Sequence, residues 1–222
     1  MIGGFKFKVC GLTSAADASC AAQLGAGYLG FNFYPKSPRA VTLGAFRAMA
    51  NQLPGAHNVA VCVEPTPPQL TELAGSGFEY FQIHFRAELP PAQIAAWSAQ
   101  VGPERLWLAP KLAPGAEFPP AWLPLAHTFL IDTYDPDKFG GTGKTGDWKK
   151  FARLQQAHPR QTWILSGGLN AENVGEAAQQ SGARFVDVSS GVESAPGVKD
   201  PAKLEAFVTA LLRRPRGSAA GA

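Results

Sequence analysis

Short apolar runs alternate with amphipathic, helix-like segments along nearly the whole chain. Residues 7–10, 28–33, 59–63, 80–84, 105–109, 128–131, 162–165 and 185–188 each read as a strand. Runs of four to six apolar residues, bounded by turn residues, are what a strand buried on both faces requires. Between them, residues 14–24, 43–52, 67–74, 91–100, 148–157, 171–180 and 201–212 have helical spacing. Thr13 or Ser14 introduces the first of these helices, prolines open the third, and Asp147 stands where a helix N-cap belongs. The stretch 110–124 is rich in proline, so any helix there is short or irregular. Eight β units, each followed by an α unit, predict a single-domain (β/α)8 barrel over residues 1–212. A doubly wound open sheet is the competitor, but it gives no reason for polar motifs after nearly every strand. Residues 213–222 have no apolar periodicity and are expected to be a disordered tail.

Composition narrows the classes. The chain has 222 residues, 45% of them hydrophobic, enough for a sizeable core. Twenty Lys and Arg against 17 Asp and Glu give a formal charge of +3 with no basic block, which offers no case for nucleic acid or a membrane surface. The three cysteines, Cys10, Cys20 and Cys62, cannot pair completely and point to a reducing compartment. No Cys/His spacing of metal type occurs, no signal peptide opens the chain, and no apolar run nears the roughly 20 residues of a membrane span. The expected location is cytoplasmic.

In a barrel of this kind the chemistry sits at the C-terminal ends of the strands. After strand six, Asp132 precedes a long glycine-rich loop that runs to Asp147. That is a way to hold an acid over a substrate, though capping a turn is an equally good role for Asp132 on this stretch alone. After strand one stands Cys10, with Lys8 two residues earlier on the same strand face. A cation that close would favour thiolate, whereas Cys20 and Cys62 read as structural thiols. After strand seven comes Ser166-Gly167-Gly168, and after strand eight Asp187-Val188-Ser189-Ser190-Gly191. Two small-residue loops at these positions favour a phosphate over ordinary glycine turns. Arg39 and Lys36 lie on a loop stiffened by Pro35 and Pro38, and a planar Arg fork suits a carboxylate. His84 ends strand four as a rim residue, a ligand contact or a proton carrier.

Taken together, the strings KVCGLT (8–13), GFNFYPKSPRAV (30–41), FQIH (81–84), LIDTYDPDKFGGTGKTGDW (130–148), LSGGLNAENV (165–174) and FVDVSSGVESAPGVKD (185–200) resemble phosphoribosylanthranilate isomerase of tryptophan biosynthesis. They span nearly the whole chain in family order. The resemblance implies a cofactor-free barrel without a metal. It implies an Amadori rearrangement of N-(5-phosphoribosyl)anthranilate, a small phosphorylated sugar–anthranilate, to the 1-deoxyribulose 5-phosphate product. It makes Cys10 the general base, Asp132 the general acid and Arg39 the receiver of the anthranilate carboxylate. His84 and Asp187 become substrate contacts, and Gly167, Gly168, Ser189, Ser190 and Gly191 the phosphate cradle. Two positions depart from the family: Phe85 stands where Gly is frequent after the strand-four His, and Glu64-Pro65 where Asn is frequent. Monomer and homodimer both stay open.

Two other readings remain. A Schiff-base lyase would use Lys8 or Lys111 as nucleophile. A non-catalytic sugar-phosphate binder would need neither Cys10 nor Asp132.

Overall fold

A computed structural model describes residues 1–133 and 147–213. The loop after Thr133, with its GGTGKT string, and the tail from 214 onward lie outside the described residues.

Eight parallel strands close into a barrel in sequence order. They are β1 (Lys6–Cys10), β2 (Tyr28–Asn32), β3 (His57–Val63), β4 (Tyr80–Arg86), β5 (Leu106–Lys111), β6 (Thr128–Ile131), β7 (Thr162–Leu165) and β8 (Phe185–Val188). Among the described residues seven α-helices pack outside: α1 (Ala15–Gln23), α2 (Leu43–Met49), α3 (Pro67–Ala74), α4 (Pro91–Val101), α5 (Trp148–Ala157), α6 (Val174–Ser181) and α7 (Pro201–Leu212). After β5 a 3-10 turn, Pro120–Leu125, takes the place of a helix, since Pro124 inside the segment lacks the N–H that an α-helix would use there. The ring closes where β1 pairs with β8, Lys8 opposite Asp187.

The helix starts follow local chemistry. The Ser14 hydroxyl accepts the Asp17 N–H at 3.1 Å, and the Asp147 carboxylate accepts the Lys150 N–H at 2.8 Å. Helix α6 starts at Val174, three residues later than its spacing predicts. The Asn170 side chain captures the N–H groups of Glu172 and Asn173 at 2.9 and 3.1 Å, holding that stretch as a turn.

Alternation along the strands divides the core in two. Outward residues such as Phe7, Phe31, Phe81, Phe85 and Phe129 meet the helices in one large cluster. Phe85 packs edge-on against Trp97 of α4 at 5.8 Å and Trp122 at 5.2 Å. Phe85 therefore fills the helix layer and is not among the residues that line the barrel mouth. Inward residues Val59, Val61, Trp107, Ala109, Leu130, Ile164 and Phe185 fill the barrel. Its N-terminal end is floored by rings: Tyr28 lies 4.9 Å from Phe185, 5.2 Å from Trp107 and 5.7 Å from Tyr80, centroid to centroid.

Past β8 the chain makes a 3-10 turn, Ser190–Val192, and then a small antiparallel pair, β9 (Glu193–Ala195) and β10 (Val198–Lys199). The apolar pattern gives no warning of this hairpin, whose strands are three and two residues long. It is tied to the α1 region by Thr13 Oγ1 to the Gly197 carbonyl, 2.6 Å, and by the Lys199 N–H to Asp17, 3.1 Å.

Candidate active site

At the C-terminal mouth of the barrel lies a cavity of about 320 Å³, walled by the ends of β1, β2, β3, β4, β6, β7 and β8. The inward positions at the top of each strand reach it: Cys10, Asn32, Val63, His84, Asp132, Ser166 and Ser189. Gln82 and Asp187 line it one step deeper, and Arg39 closes one side. A second hollow of about 660 Å³ opens on the opposite face, beside Met1, Gln23 and His57, with no carboxyl among its described lining residues. Size alone would favour it, but among the described residues it is the C-terminal cavity that gathers the carboxyls of Asp132 and Asp187, the Cys10 thiol and the cations Lys36 and Arg39.

Lys8 organises the interior. It is completely buried, and its Nζ donates to Asp187 Oδ1 at 2.8 Å. The second Asp187 oxygen lies 3.4 Å from the Ser166 hydroxyl. Burial alone would depress the Lys8 pKa, but Asp187 and Cys10 outweigh it, so the amine is held charged above its ordinary value. A nucleophilic lysine needs the reverse, which removes Lys8 from the Schiff-base reading. Lys111, at the end of β5, is not among the residues lining the cavity. Gly30 makes room for this arrangement. A Cβ there would come within 2.8 Å of Lys8 Cε and 3.1 Å of both Lys8 Nζ and Cys10 Sγ.

Cys10 therefore does meet Lys8, yet its thiol is pushed up, not down. Burial raises its pKa and dominates the lowering by Lys8 and Lys199. The resting group is a thiol. Cys62, fully enclosed in the outer core, is pushed to about 12 by burial and has no such neighbours.

Asp132 sits just past β6. Burial raises its carboxyl pKa to about 7, Asp187 adds to the shift, and the Thr133 N–H, 2.8 Å from Oδ1, pulls against it along with Lys8. At neutral pH a large share of the molecules carry the protonated acid. The hydrogen bond with the Thr133 N–H, one residue on, holds the carboxyl against its own backbone. Gly167 (φ 94°) lets the β7 loop pass close by, because a Cβ there would overlap Thr133 and stand 2.9 Å from Asp132 Oδ1.

His84 is neutral. Burial, with help from the Lys8 charge, lowers its pKa to about 3. Its Nε2 lies 2.7 Å from the Gln82 amide nitrogen, which can only donate, so the ring proton is assigned to Nδ1. Among the described residues the carbonyl oxygen of Gln82 has no partner.

The loops after β7 and β8 touch one another: a Cβ on Gly191 would overlap the Leu169 carbonyl. Ser189 lines the cavity, its hydroxyl donating to the Cys10 carbonyl at 3.1 Å. Gly167, Gly168, Ser190 and Gly191 stand in the same two loops, adjacent to the lining residues. Arg39 is engaged in a way that the sequence does not anticipate. Its Nε and one Nη donate to the two oxygens of Glu193 at 2.8 and 2.7 Å. Lys36, on the same loop, is exposed. Glu64, the other departure from the family, holds a left-handed backbone (φ 43°) and pairs at the rim with Arg86, 2.7 Å away.

The family model for N-(5'-phosphoribosyl)anthranilate (PRA) isomerase matches residues 7–210. The chain belongs to the PRA isomerase family. A PRA isomerase of Paracoccus denitrificans is 41% identical over 208 residues, covering 90% of this chain and 94% of that protein. One from Ruegeria is 36% identical over 212 residues, covering 92% and 96%. Among solved structures, the PRA isomerase of Thermus thermophilus superposes with a TM-score of 0.77 at 31% identity, over 93% of this chain and 98% of that one. A PRA isomerase in complex with reduced 1-(o-carboxyphenylamino)-1-deoxyribulose 5-phosphate has a TM-score of 0.72 at 28% identity, with the same coverage. PRA isomerases are enzymes of tryptophan biosynthesis, and this chain is an isomerase of that family with the expected barrel. Among the described residues no helix is long and apolar enough to cross a membrane, and no group of three or more His, Cys, Asp or Glu could hold a metal ion.

Proposed function

We propose that this cavity carries out the Amadori rearrangement of N-(5-phosphoribosyl)anthranilate, with Asp132 as general acid and Cys10 as general base. The observation that carries the reading is the meeting of these two groups in one cavity with an acid whose pKa is about 7. Asp132 gives its proton to the ring oxygen of the furanose, and the C1–O bond breaks to leave a protonated Schiff base. The iminium makes the C2 proton acidic and brings positive charge toward Cys10, which favours thiolate. Cys10 takes that proton, giving the enolamine. The enolamine becomes the ketone as one proton leaves the C2 hydroxyl and another joins C1. Cys10, having given its own proton to solvent before taking the one from C2, is back in its resting thiol form, and Asp132 regains its proton from solvent.

The remaining groups divide between the ends of the substrate. The phosphate is assigned to Gly167 and Gly168 on one side and Ser189, Ser190 and Gly191 on the other, two loops in contact with each other. The anthranilate carboxylate is assigned to the edge of Arg39 that Glu193 leaves unused. Asp187 and neutral His84 contact the sugar and the ring as hydrogen-bonding groups.

Cys10→Ser is the sharpest test, because a hydroxyl is far less acidic than a thiol of similar size. The purified variant should bind the reduced product analogue as the parent does while kcat falls about 100-fold or more. A kcat within a few-fold of the parent would remove Cys10 from the chemistry. Borohydride added during turnover should trap no covalent adduct, and an adduct on a lysine would restore the lyase reading.

A further inference from the structure

We propose that Glu193 is a positioning residue for Arg39 and that, together with Lys199, it sets the selectivity of the site for a carboxylate-bearing substrate. The inference rests on the proposed function, in which Arg39 receives the anthranilate carboxylate.

A guanidinium has five N–H donors in one plane. In Arg39, two of them are taken by Glu193 Oε1 and Oε2 at 2.8 and 2.7 Å, an arrangement with two parallel bonds that fixes both the plane and its rotation. The donors left over lie on the other edge, and they form a second fork. Arg39 also lines the cavity. Its packing is close on that side, since a Cβ on Gly11 would stand 2.5 Å from Arg39 Cδ.

A one-to-one Arg–Glu pair would fix the fork and cancel its charge together. Lys199 prevents the cancellation. Its Nζ donates to Glu193 Oε1 at 2.7 Å and to the Ser189 carbonyl at 3.2 Å. One carboxylate thus serves two cations, and the cluster keeps a net positive charge. Lys199 and Glu193 are almost sealed, with side chains 1% and 5% exposed, while Arg39 is 14% exposed. The surplus charge therefore reaches the cavity through Arg39. Glu193 is itself immobilised, because Lys203 Nζ donates to its backbone carbonyl at 2.7 Å. Burial would raise the Glu193 pKa, but Arg39 and Lys199 hold it below the usual carboxylate range, so the clamp stays charged at neutral pH.

A cluster of this composition is poorly suited to stability alone, because a buried unmatched cation is costly. It suits an anion that arrives later. The hairpin of β9 and β10 contributes both Glu193 and Lys199, which gives that short element a purpose.

The test measures kcat and the dissociation constants of two ligands, the reduced product analogue that carries the carboxylate and inorganic phosphate, which lacks it. The variants are Arg39→Ala, Glu193→Gln and the double variant Glu193→Ala/Lys199→Met. The double variant removes the sealed Lys199 cation together with Glu193, leaving only the cavity-lining Arg39 without its partner, and so stays informative where Glu193→Gln folds poorly. Both Glu193 variants should weaken the analogue roughly tenfold, leave phosphate affinity unchanged and lower kcat much less than they weaken binding. Adding Arg39→Ala to the double variant should weaken the analogue no further than Arg39→Ala does alone. The proposal falls if folded Glu193 variants bind the analogue normally, if phosphate affinity drops in parallel, or if the Arg39 and Glu193 losses add. Should Arg39→Ala itself leave analogue affinity intact, it is the carboxylate assignment that fails.

Discussion

The two halves of the barrel interior are built on the same strands and behave as opposites. In the lower half, Tyr28, Tyr80, Trp107 and Phe185 stack ring to ring at 4.9–5.7 Å. Two to four residues further along those strands the inward positions become Gln82 and His84 on β4 and Asp187 and Ser189 on β8. The lower layer removes apolar surface from water and satisfies itself. The upper layer buries Lys8 and Asp187 and half-buries Asp132 beside them, and each of these ionisable groups is costly to enclose. A strand can carry both because alternation fixes only which face a residue points to; its height along the barrel axis decides between packing and chemistry.

The largest effect expected from breaking this division comes from Asp132→Asn. It removes the proton donor while keeping the shape, and kcat should fall by about 100- to 10,000-fold. Stability should move the other way. The folded pKa of about 7 lies above the ordinary 3.8, so the native state binds more protons than the unfolded chain between those values. Stability is therefore fully present below pH 4 and drains away as pH rises toward 7. Asn cannot ionise, so the variant should lose this pH slope and gain on the order of 2–4 kcal/mol at pH 8. Denaturant titrations at pH 5 and pH 8 read the slope directly. A variant with the parent's slope would mean that Asp132 is not the strained acid.

Trp107→Ala tests the lower half. Trp107 is almost fully buried, with Tyr28 at 5.2 Å and Phe185 at 5.6 Å. Truncation should cost about 3–5 kcal/mol of stability, seen as an earlier denaturant midpoint. Turnover per folded molecule, measured well below that midpoint, should stay within a few-fold of the parent. A large fall in kcat in a sample still fully folded would show that the floor shapes the site above it.

Much of this architecture is legible in the order of the residues alone. Eight apolar runs at regular spacing mark the strands, and the position of a polar residue at a strand's end marks Cys10, His84 and Asp132. Period-two reading also explains Lys8 and Gln82, which share a face with Cys10 and His84. What escapes is charge compensation across long separations. Nothing near Arg39 in sequence points to Glu193, which is 154 residues away, or to a hairpin too short for a periodic signal. The sign of the Cys10 shift escapes for a related reason. Spacing shows that Lys8 is close, but only enclosure by the completed barrel decides that desolvation outweighs it. Phe85 looks like a rim substitution from its place beside His84, yet adjacent residues on a strand face opposite ways, and it belongs to the helix layer.

The smallest expected effect concerns His84, and it decides which group governs the pH dependence. The proposed chemistry needs Asp132 protonated and Cys10 ionised. Below about pH 7 Asp132 keeps its proton, so kcat/KM should rise with pH as more Cys10 ionises, about tenfold per unit. Above about 7 the loss of the acid offsets the gain in thiolate, and the profile should flatten. It should fall only beyond the raised pKa of Cys10. A bend near 7 is also what an ordinary histidine, at 6.5, would produce, and His84 lines the cavity. Its pKa of about 3 removes it from that range, because burial and the neighbouring Lys8 both disfavour imidazolium. His84→Asn should therefore lower kcat/KM only a few-fold, the size of one neutral hydrogen bond at about 0.5–1.5 kcal/mol. The bend near 7 should survive in that variant and vanish in whatever activity Asp132→Asn retains. If the bend instead leaves with His84, the histidine is the titrating group, and Asp132 is ionised throughout the working range of the enzyme.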